Sequence, residues 1–319
     1  MGDVEISVIV PTHERRDLVA ALLTRLRNLP GPAREVIVID DASTDGTAAM
    51  LCEAGPGVRV LRNEVPRRFD ALADAVEMAR GWLILQLDDD AYPAPETLTR
   101  VVEHFRRRGE ALGMAALPFL DPATERPMLT SFLPDLPAGA DYGPTPGFLA
   151  GAVAVRREAA LAIPLSPPGY AQYQTEPAAL IEYLHAGWEA DFLATAPVYH
   201  LWAGRTHRIS FDSAFLPLRN DIVTIKRYYR GWRRSEMLIG RYLTGFVHLL
   251  AAGYPQAWTQ ALRDAERMLA SLPERHVEPS ILQRIYPCFA GATLTSLLSP
   301  INARRIAWYL GLLPIDQIG

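Results

Sequence analysis

Three consecutive aspartates, Asp88-Asp89-Asp90, follow the apolar run Trp82-Leu83-Ile84-Leu85-Gln86-Leu87. Like charges this close repel and raise one another's pKa unless a cation is present. Hard divalent ions such as Mg²⁺ take oxygen ligands and bridge one or two carboxylates to substrate phosphates. An Asp-x-Asp after an apolar strand therefore points to a metal–diphosphate site built on Asp88 and Asp90. The alternative is a solvated acidic turn that caps the next helix. A second cluster, Asp40-Asp41-Ala42-Ser43-Thr44-Asp45-Gly46-Thr47, follows Val36-Ile37-Val38-Ile39. Carboxylates here repel phosphate but can accept hydrogen bonds from a base N–H or a ribose hydroxyl. Capping of a helix by Ser43, Thr44 and Asp45 is compatible with that role. A third cluster, Pro11-Thr12-His13-Glu14, ends the run Ile6–Val10.

What brings these clusters together is a repeating order of elements. Ile6–Val10 and Val36–Ile39 are β-branched runs, the mark of strands buried on both faces. Val58–Leu61 and Trp82–Leu87 read as the third and fourth strands. Asp17 can cap a helix in which Leu18, Leu22, Leu26 and Leu29 recur. Ser43 or Thr44 starts a short helix through Leu51. A further helix covers about 71–79 and stops at Gly81, and Pro95 opens another that carries Leu98, Val102 and Phe105. Strand–helix units in this order predict a parallel sheet with right-handed crossovers, and ligands of such sheets sit beyond the carboxyl ends of the strands. All three polar clusters fall there.

The rest of the chain is less regular. Prolines and glycines crowd 118–147 and suggest loops with a short hairpin. Ala152–Val155 reads as a strand leading into a helix-prone Arg156–Ala162. Glu176-Pro177 begins a helix, since proline suits a first turn, and Gly187 ends it. Asp191–Ala194 and Val198–His200 read as strands. From about Phe215 the pattern is helical throughout.

The 319 residues include 49% hydrophobic and 21% charged types, a globular composition that excludes disorder. A formal net charge of −4 argues against a nucleic-acid binder. Of the 32 basic residues only Lys226 is a lysine, which fits a GC-rich coding bias. Cys52 and Cys288 lack metal-ligand spacing and read as buried thiols in a reducing compartment. No signal-peptide pattern opens the sequence. Tyr242–Leu262 and Ile285–Ala303 carry no formal charge but contain proline and scattered polar residues, so packed helices or contact with a membrane surface suit them better than a span.

Ile6–Arg15, Glu35–Thr47 and Gly81–Pro93 together resemble the family-2 glycosyltransferases, with looser agreement at Gly147–Arg157 and Thr175–His200. Arg219-Asn220 is similar to a pair found in relatives that build rhamnose- or galactofuranose-containing glycans. The resemblance implies an α/β fold of the GT-A type, a Rossmann-like and mainly parallel sheet flanked by helices with a C-terminal helical region. It divides the chain into a transferase domain over 1–212, with a nucleotide-sugar half to about 120 and an acceptor half beyond, and helices over 213–319. It implies an inverting transfer from a UDP-, dTDP- or GDP-sugar to a hydroxyl of a glycan, a lipid-linked saccharide or a small molecule.

Under that resemblance Pro11, Thr12, Glu14, Asp40, Asp41, Asp88 and Asp89 surround the nucleotide. Asp88 and Asp90 bind the diphosphate through Mg²⁺ or Mn²⁺. His200 is either a further metal ligand or a structural histidine. Glu176 takes the position of the general base that an attacking hydroxyl requires, and Arg205, His207 and Arg208 read either as a loop of cations over the diphosphate or as a solvated basic loop. The departures are Thr175-Glu176-Pro177 in place of an acidic pair, Ala178-Ala179 after it, His13 for the usual Asn, and Leu72-Ala73 where the family carries Arg-Asn. They leave open a nucleotide-sugar-binding homologue without turnover. A sugar nucleotidyltransferase or a dehydrogenase would need a glycine-rich loop after the first strand, and none is there. The expected location is the cytoplasm, with peripheral contact at the inner face of the membrane.

Overall fold

The computed structural model describes residues 4–128, 133–201 and 210–292. The chain divides into two compact units, residues 1–171 with 182–203, and residues 172–181 with 204–319.

In the first unit, β1 (Ile6–Thr12), β2 (Arg34–Asp41), β3 (Val58–Asn63) and β4 (Leu83–Leu87) run parallel in the order β3-β2-β1-β4. Ile6, Val8, Ile9 and Val10 of β1 and Ile37, Val38 and Ile39 of β2 are fully buried, as continuous β-branched runs require. The crossovers are α1 (Arg16–Asn28), the short α2 (Thr47–Cys52), and a 3₁₀ turn Arg68–Ala71 running into α3 (Leu72–Met78). After β5 (Ala91–Pro93), α4 (Thr97–Arg108) buries Leu98, Val101, Val102 and Phe105, and Gly109 ends it at φ 78°. Beyond β4 the sheet continues in the order β9 (Ala152–Arg156), which leads into α5 (Arg157–Ala162), then β6 (Leu112–Ala116), β10 (Glu189–Leu193) and, at its edge, β8 (Tyr142–Pro144). β9 is antiparallel to both β4 and β6, so the sheet is mixed at this end.

A second sheet has three very short strands, with β11 (Val198–His200) between β5 and β7 (Phe119–Leu120). The strand β6 escaped the sequence pattern because Leu112-Gly-Met-Ala-Ala lacks both alternation and β-branching. Of the expected hairpin the described residues show one bridge, Leu120 to Pro127; β7 and β8 join different sheets. Asp17 lies in the first turn of α1 and does not cap it. The second helix starts at Thr47, not at 43 or 44, where Asp45 Oδ1 accepts the Thr47 N–H at 3.0 Å. Cys52, expected to be buried, is exposed at the end of that helix.

The second unit holds α7 (Phe211–Tyr228), α8 (Gly231–Ala251), α9 (Gln256–Ser271) and α10 (Pro279–Ile285). α6 (Glu176–His185) starts in the second unit and ends in the first, and Gly187 at φ 91° follows it. Among the described residues no helix is long and apolar enough to cross a membrane.

Candidate active site

The loops after the four parallel strands are laced to one another. Thr12 Oγ1 at the end of β1 donates to Asp89 Oδ2 at 2.7 Å, and Arg15 donates to Asp89 Oδ1 at 2.6 Å. Glu14 Oε1 accepts from the Thr44 N–H at 2.7 Å and its hydroxyl at 2.9 Å, while the Glu14 N–H donates to Ser43 Oγ at 3.0 Å. Asp41 Oδ1 accepts from Asn63 Nδ2 and the Arg67 N–H, both at 2.7 Å, and Oδ2 accepts from the Arg68 N–H at 2.8 Å. His13 Nδ1 lies 2.7 Å from the Asp41 carbonyl oxygen. Each of the first three loops holds one non-glycine residue at positive φ: Glu14 at 54°, Ala42 at 62° and Arg68 at 53°. Such conformations cost about 1–3 kcal/mol each and persist where surrounding contacts enforce them, typically at ligand sites.

Asp40 has no exposed surface. Its Oδ1 accepts the Ser43 N–H at 3.1 Å, and Oδ2, 3.4 Å from Arg62, has no hydrogen-bond partner. Pro11 stays within β1, partly buried. Asp89 has donors on both oxygens, and burial pushes its carboxyl up from the ordinary range against the opposing pull of Arg15 and Thr12.

Asp88, Asp90 and His200 form the other half of the site. One ligand atom from each lies within 4.8 Å of the others. His200 Nε2 is 3.5 Å from Asp88 Oδ2 and 3.3 Å from Asp90 Oδ1. The second sheet explains how a residue more than a hundred positions away arrives here. His200 pairs with Ala91 across β11 and β5, and the Leu201 N–H donates to the Asp90 carbonyl at 2.9 Å. The Phe119 ring meets the imidazole edge at 4.7 Å between centroids. Gly151 abuts Asp88 so closely that a Cβ would overlap its carboxylate. The residues fit a divalent cation. Arg15 reaches Asp89 and lies 3.3 Å from Asp90, one cation against three aspartates, so among the described residues negative charge is in excess where Asp88 and Asp90 converge. Two carboxylates and an imidazole are a donor set such ions accept.

Residues 7–162 match the family model described as glycosyl transferase family 2. That stretch, just under half of the chain, is of glycosyltransferase family 2. It is similar to the undecaprenyl-phosphate 4-deoxy-4-formamido-L-arabinose transferases of Edwardsiella ictaluri, 31% identical over 106 residues, and of Klebsiella pneumoniae, 33% identical over 107 residues. Each match covers 31% of this chain and 33% of the relative, so the likeness spans about a third of those transferases. Among solved structures, the mannosyltransferase PcManGT from Pyrobaculum calidifontis, in complex with GDP-Man and Mn²⁺, aligns with 99% of this chain and 89% of its own at TM-score 0.55 and 17% identity. TarS 1–349 of S. aureus, in complex with UDP-GlcNAc, aligns over 97% and 89% at TM-score 0.60 and 15% identity. These likenesses give the fold, which is of the GT-A type expected from the sequence.

The structure thus gathers Pro11, Thr12, Glu14, Asp40, Asp41, Asp88, Asp89, Asp90 and His200 in the first unit. Arg15, Asn63 and Gly151 belong to the same cluster and escaped sequence reasoning. Arg15 stood in the recognised motif, and its charge beside an acidic triplet was the available signal. Glu176 lies in the second unit, at the first residue of α6. The loop before it carries Tyr173 and Gln174 at φ 59° and 53°. Asn220, fully buried, holds that loop by donating to the Gln172 carbonyl at 3.0 Å and the Tyr173 carbonyl at 2.6 Å, while its Oδ1 accepts from Arg219. Asp221 pairs with Arg241 at 2.7 Å. Burial, together with the negative charge of Glu176 and Asp221, pushes the Cys288 thiol up to about 12. Arg205, His207 and Arg208 lie outside the described residues.

Proposed function

We propose that this protein transfers a sugar from a nucleoside-diphosphate sugar to an acceptor hydroxyl, with inversion at the anomeric carbon and with Mg²⁺ or Mn²⁺ held by Asp88, Asp90 and His200. The observation that carries this reading is the convergence of those three side chains at the carboxyl end of β4, close to the nucleotide loops of the family-2 stretch. A bound divalent cation supplies neutralisation of the departing diphosphate. The remaining work falls to the chain. Pro11, Thr12, Glu14, Asp40 and Asp41 form the nucleotide pocket, with Asp88 and Asp89 at its phosphate end. Arg15 fixes Asp89 and, with it, the orientation of the triplet. Glu176 accepts the proton of the attacking hydroxyl.

The acceptor is proposed to be lipid-linked, at the cytoplasmic face of a membrane. The curated relatives, named as undecaprenyl-phosphate transferases, support this.

Calorimetry with UDP-, dTDP- and GDP-sugars, with and without Mn²⁺, tests donor and metal together. One donor should bind in a metal-dependent way, and none binding would overturn the reading. Glu176→Gln keeps size and hydrogen bonding but cannot accept a proton. It should slow transfer by about 10²–10⁴-fold with donor affinity unchanged. A parental rate would assign the base elsewhere, and donor binding without turnover in the parent would make the protein a binding homologue.

A further inference from the structure

Among the described residues eleven large hydrophobic side chains are exposed, and six of them lie on α8: Trp232, Ile239, Leu243, Phe246, Val247 and Leu250. The other five are scattered singly. Trp232 is 72% exposed and Leu250 55%. Spacings of seven, four, three or four, and three place all six on one face of a helix. At 1.5 Å per residue that face runs about 27 Å. Isolated apolar residues on a surface need no explanation, but a contiguous ridge marks an interaction site.

The opposite face is already used within the second unit. Met237, Gly240, Thr244, Gly245 and Leu249 are buried. A Cβ on Gly245 would sit 2.6 Å from Leu218 of α7, so the α8 backbone rests directly on that neighbour. Arg241, the one formal charge from Met237 to Leu250, is paired with Asp221 at 2.7 Å. The outer ridge over that stretch is therefore uncharged. At its amino end the character changes: Arg230 and Arg233, with Arg275 and His276, line a cavity of about 290 Å³ beside Tyr228 and Tyr229. Arg234 adds a further positive charge, against Glu274, which pairs with Arg230 and Arg234, and Glu236. The balance at this end is positive.

We infer that α8 docks on an anionic bilayer, lying in the interface with the Trp232–Leu250 ridge among the acyl chains and the arginine end among the headgroups. An apolar ridge continuous with a basic end, with an exposed Trp at the junction, is complementary to a surface that is both greasy and negative. A second copy of the chain answers the ridge but not the arginines, because Glu236 is the only acidic residue on α8. The inference deepens the lipid-linked reading above yet rests on the surface of α8 alone.

The test is flotation of the full chain with vesicles of phosphatidylglycerol in phosphatidylcholine, and with phosphatidylcholine alone. The parent should float with the anionic vesicles and much less with the neutral ones. Leu243→Glu/Phe246→Glu should lower the bound fraction at least about tenfold, given the apolar area each residue buries. Its thermal unfolding and its nucleotide-sugar affinity in solution should match the parent. Arg233→Gln/Arg234→Gln should remove mainly the salt-sensitive part of binding. The inference is overturned if the parent stays unbound, or if the Leu243/Phe246 variant, folded by its melt, floats as the parent does. It is equally overturned if the parent self-associates without floating and that variant is monomeric, or if the chain floats only after removal of residues 293–319. Flotation is read without turnover, so its failure leaves the transferase reading standing, and an inactive transferase would leave flotation unchanged.

Discussion

Glu35 and Asp90 are each 5% exposed, and they sit at opposite ends of the strands of one sheet. At the amino end Glu35 is closed off. Ser7 Oγ donates to its Oε1 at 2.7 Å and the Arg80 N–H at 2.6 Å, while Arg59 lies 3.4 Å from Oε2. Ser7 in turn accepts the Gly81 N–H at 2.9 Å, and a Cβ on Gly81 would come within 2.5 Å of the Ser7 nitrogen. At the carboxyl end Asp41 and Asp89 are closed in the same way, each with donors on both oxygens. Asp88, only partly buried, and Asp90, 3.3 Å from an Arg15 that is shared with Asp89, converge on one another and on His200 at distances too long for strong hydrogen bonds. A buried carboxylate is tolerated when paired and is costly when not. The same sheet therefore carries a carboxylate satisfied by its own chain and a pair whose balance calls for something from outside. The first is architecture and the second is a candidate for chemistry.

The largest expected effect comes from breaking the open end. Asp90→Asn removes one ligand and half of the unbalanced charge but keeps the shape. If the carboxyl end holds a cation, transfer should fall about 10³-fold, equivalent to the several kcal/mol that metal stabilisation supplies. Metal should no longer improve sugar-nucleotide binding by calorimetry, while the melting temperature changes little. An unchanged metal dependence would make Asp90 architectural, like Glu35. The converse substitution is Glu35→Ala. It leaves the Ser7 hydroxyl and the Arg80 N–H without their acceptor and should cost about 3 kcal/mol of stability in urea unfolding. Metal-dependent donor affinity, measured on the folded protein, should stay within about twofold, because a surface this far from the loops shares no partners with them. A large change in affinity at undiminished stability would erase the distinction between the two ends.

The amino-acid sequence made the open end more legible than the closed one. β1, β2 and β4 announce themselves as mainly apolar runs, and the polar clusters after them stand out by contrast. Glu35 and Ser7 were silent, because a polar residue near a strand start looks ordinary until its partner 28 positions away is known. His200 was visible as a strand end. The pairing of β11 with β5 that sets it beside Asp90 was not, since it involves three residues and no periodicity. Glu176-Pro177 read correctly as a helix start because proline restricts where a helix can begin. The Asn220 clamp on the loop before it depends on a contact 47 residues away in sequence and a left-handed backbone at Tyr173 and Gln174.

A third buried carboxylate sharpens the comparison with the smallest expected effect. Asp191 on β10 is 3% exposed. The structure closes it: His104 Nε2 lies 2.9 Å and Arg108 Nε 2.8 Å from its Oδ2, and Arg108 also reaches Glu189 at 2.6 Å. Desolvation alone would raise the Asp191 carboxyl, but the hydrogen bonds and charges of His104 and Arg108 outweigh it and hold the group below its ordinary value. A carboxyl whose folded pKa is depressed binds its proton more readily in the unfolded chain. Its stabilisation is therefore present above the unfolded value, near pH 4, and fades as pH falls through the lower folded value. Asp191→Asn should cost about 1–2 kcal/mol at pH 7, the scale of a charge-assisted hydrogen bond. The gap between variant and parent should narrow below about pH 4, where the carboxyl of the unfolded parent begins to protonate, and should close further as pH falls through the lower folded value. Thermal melts across pH 3–7 read this directly, and transfer at neutral pH should stay near the parental rate. A gap independent of pH would show that packing, not charge, holds Asp191. A collapse of transfer at parental stability would instead move this carboxylate from the closed class to the open one.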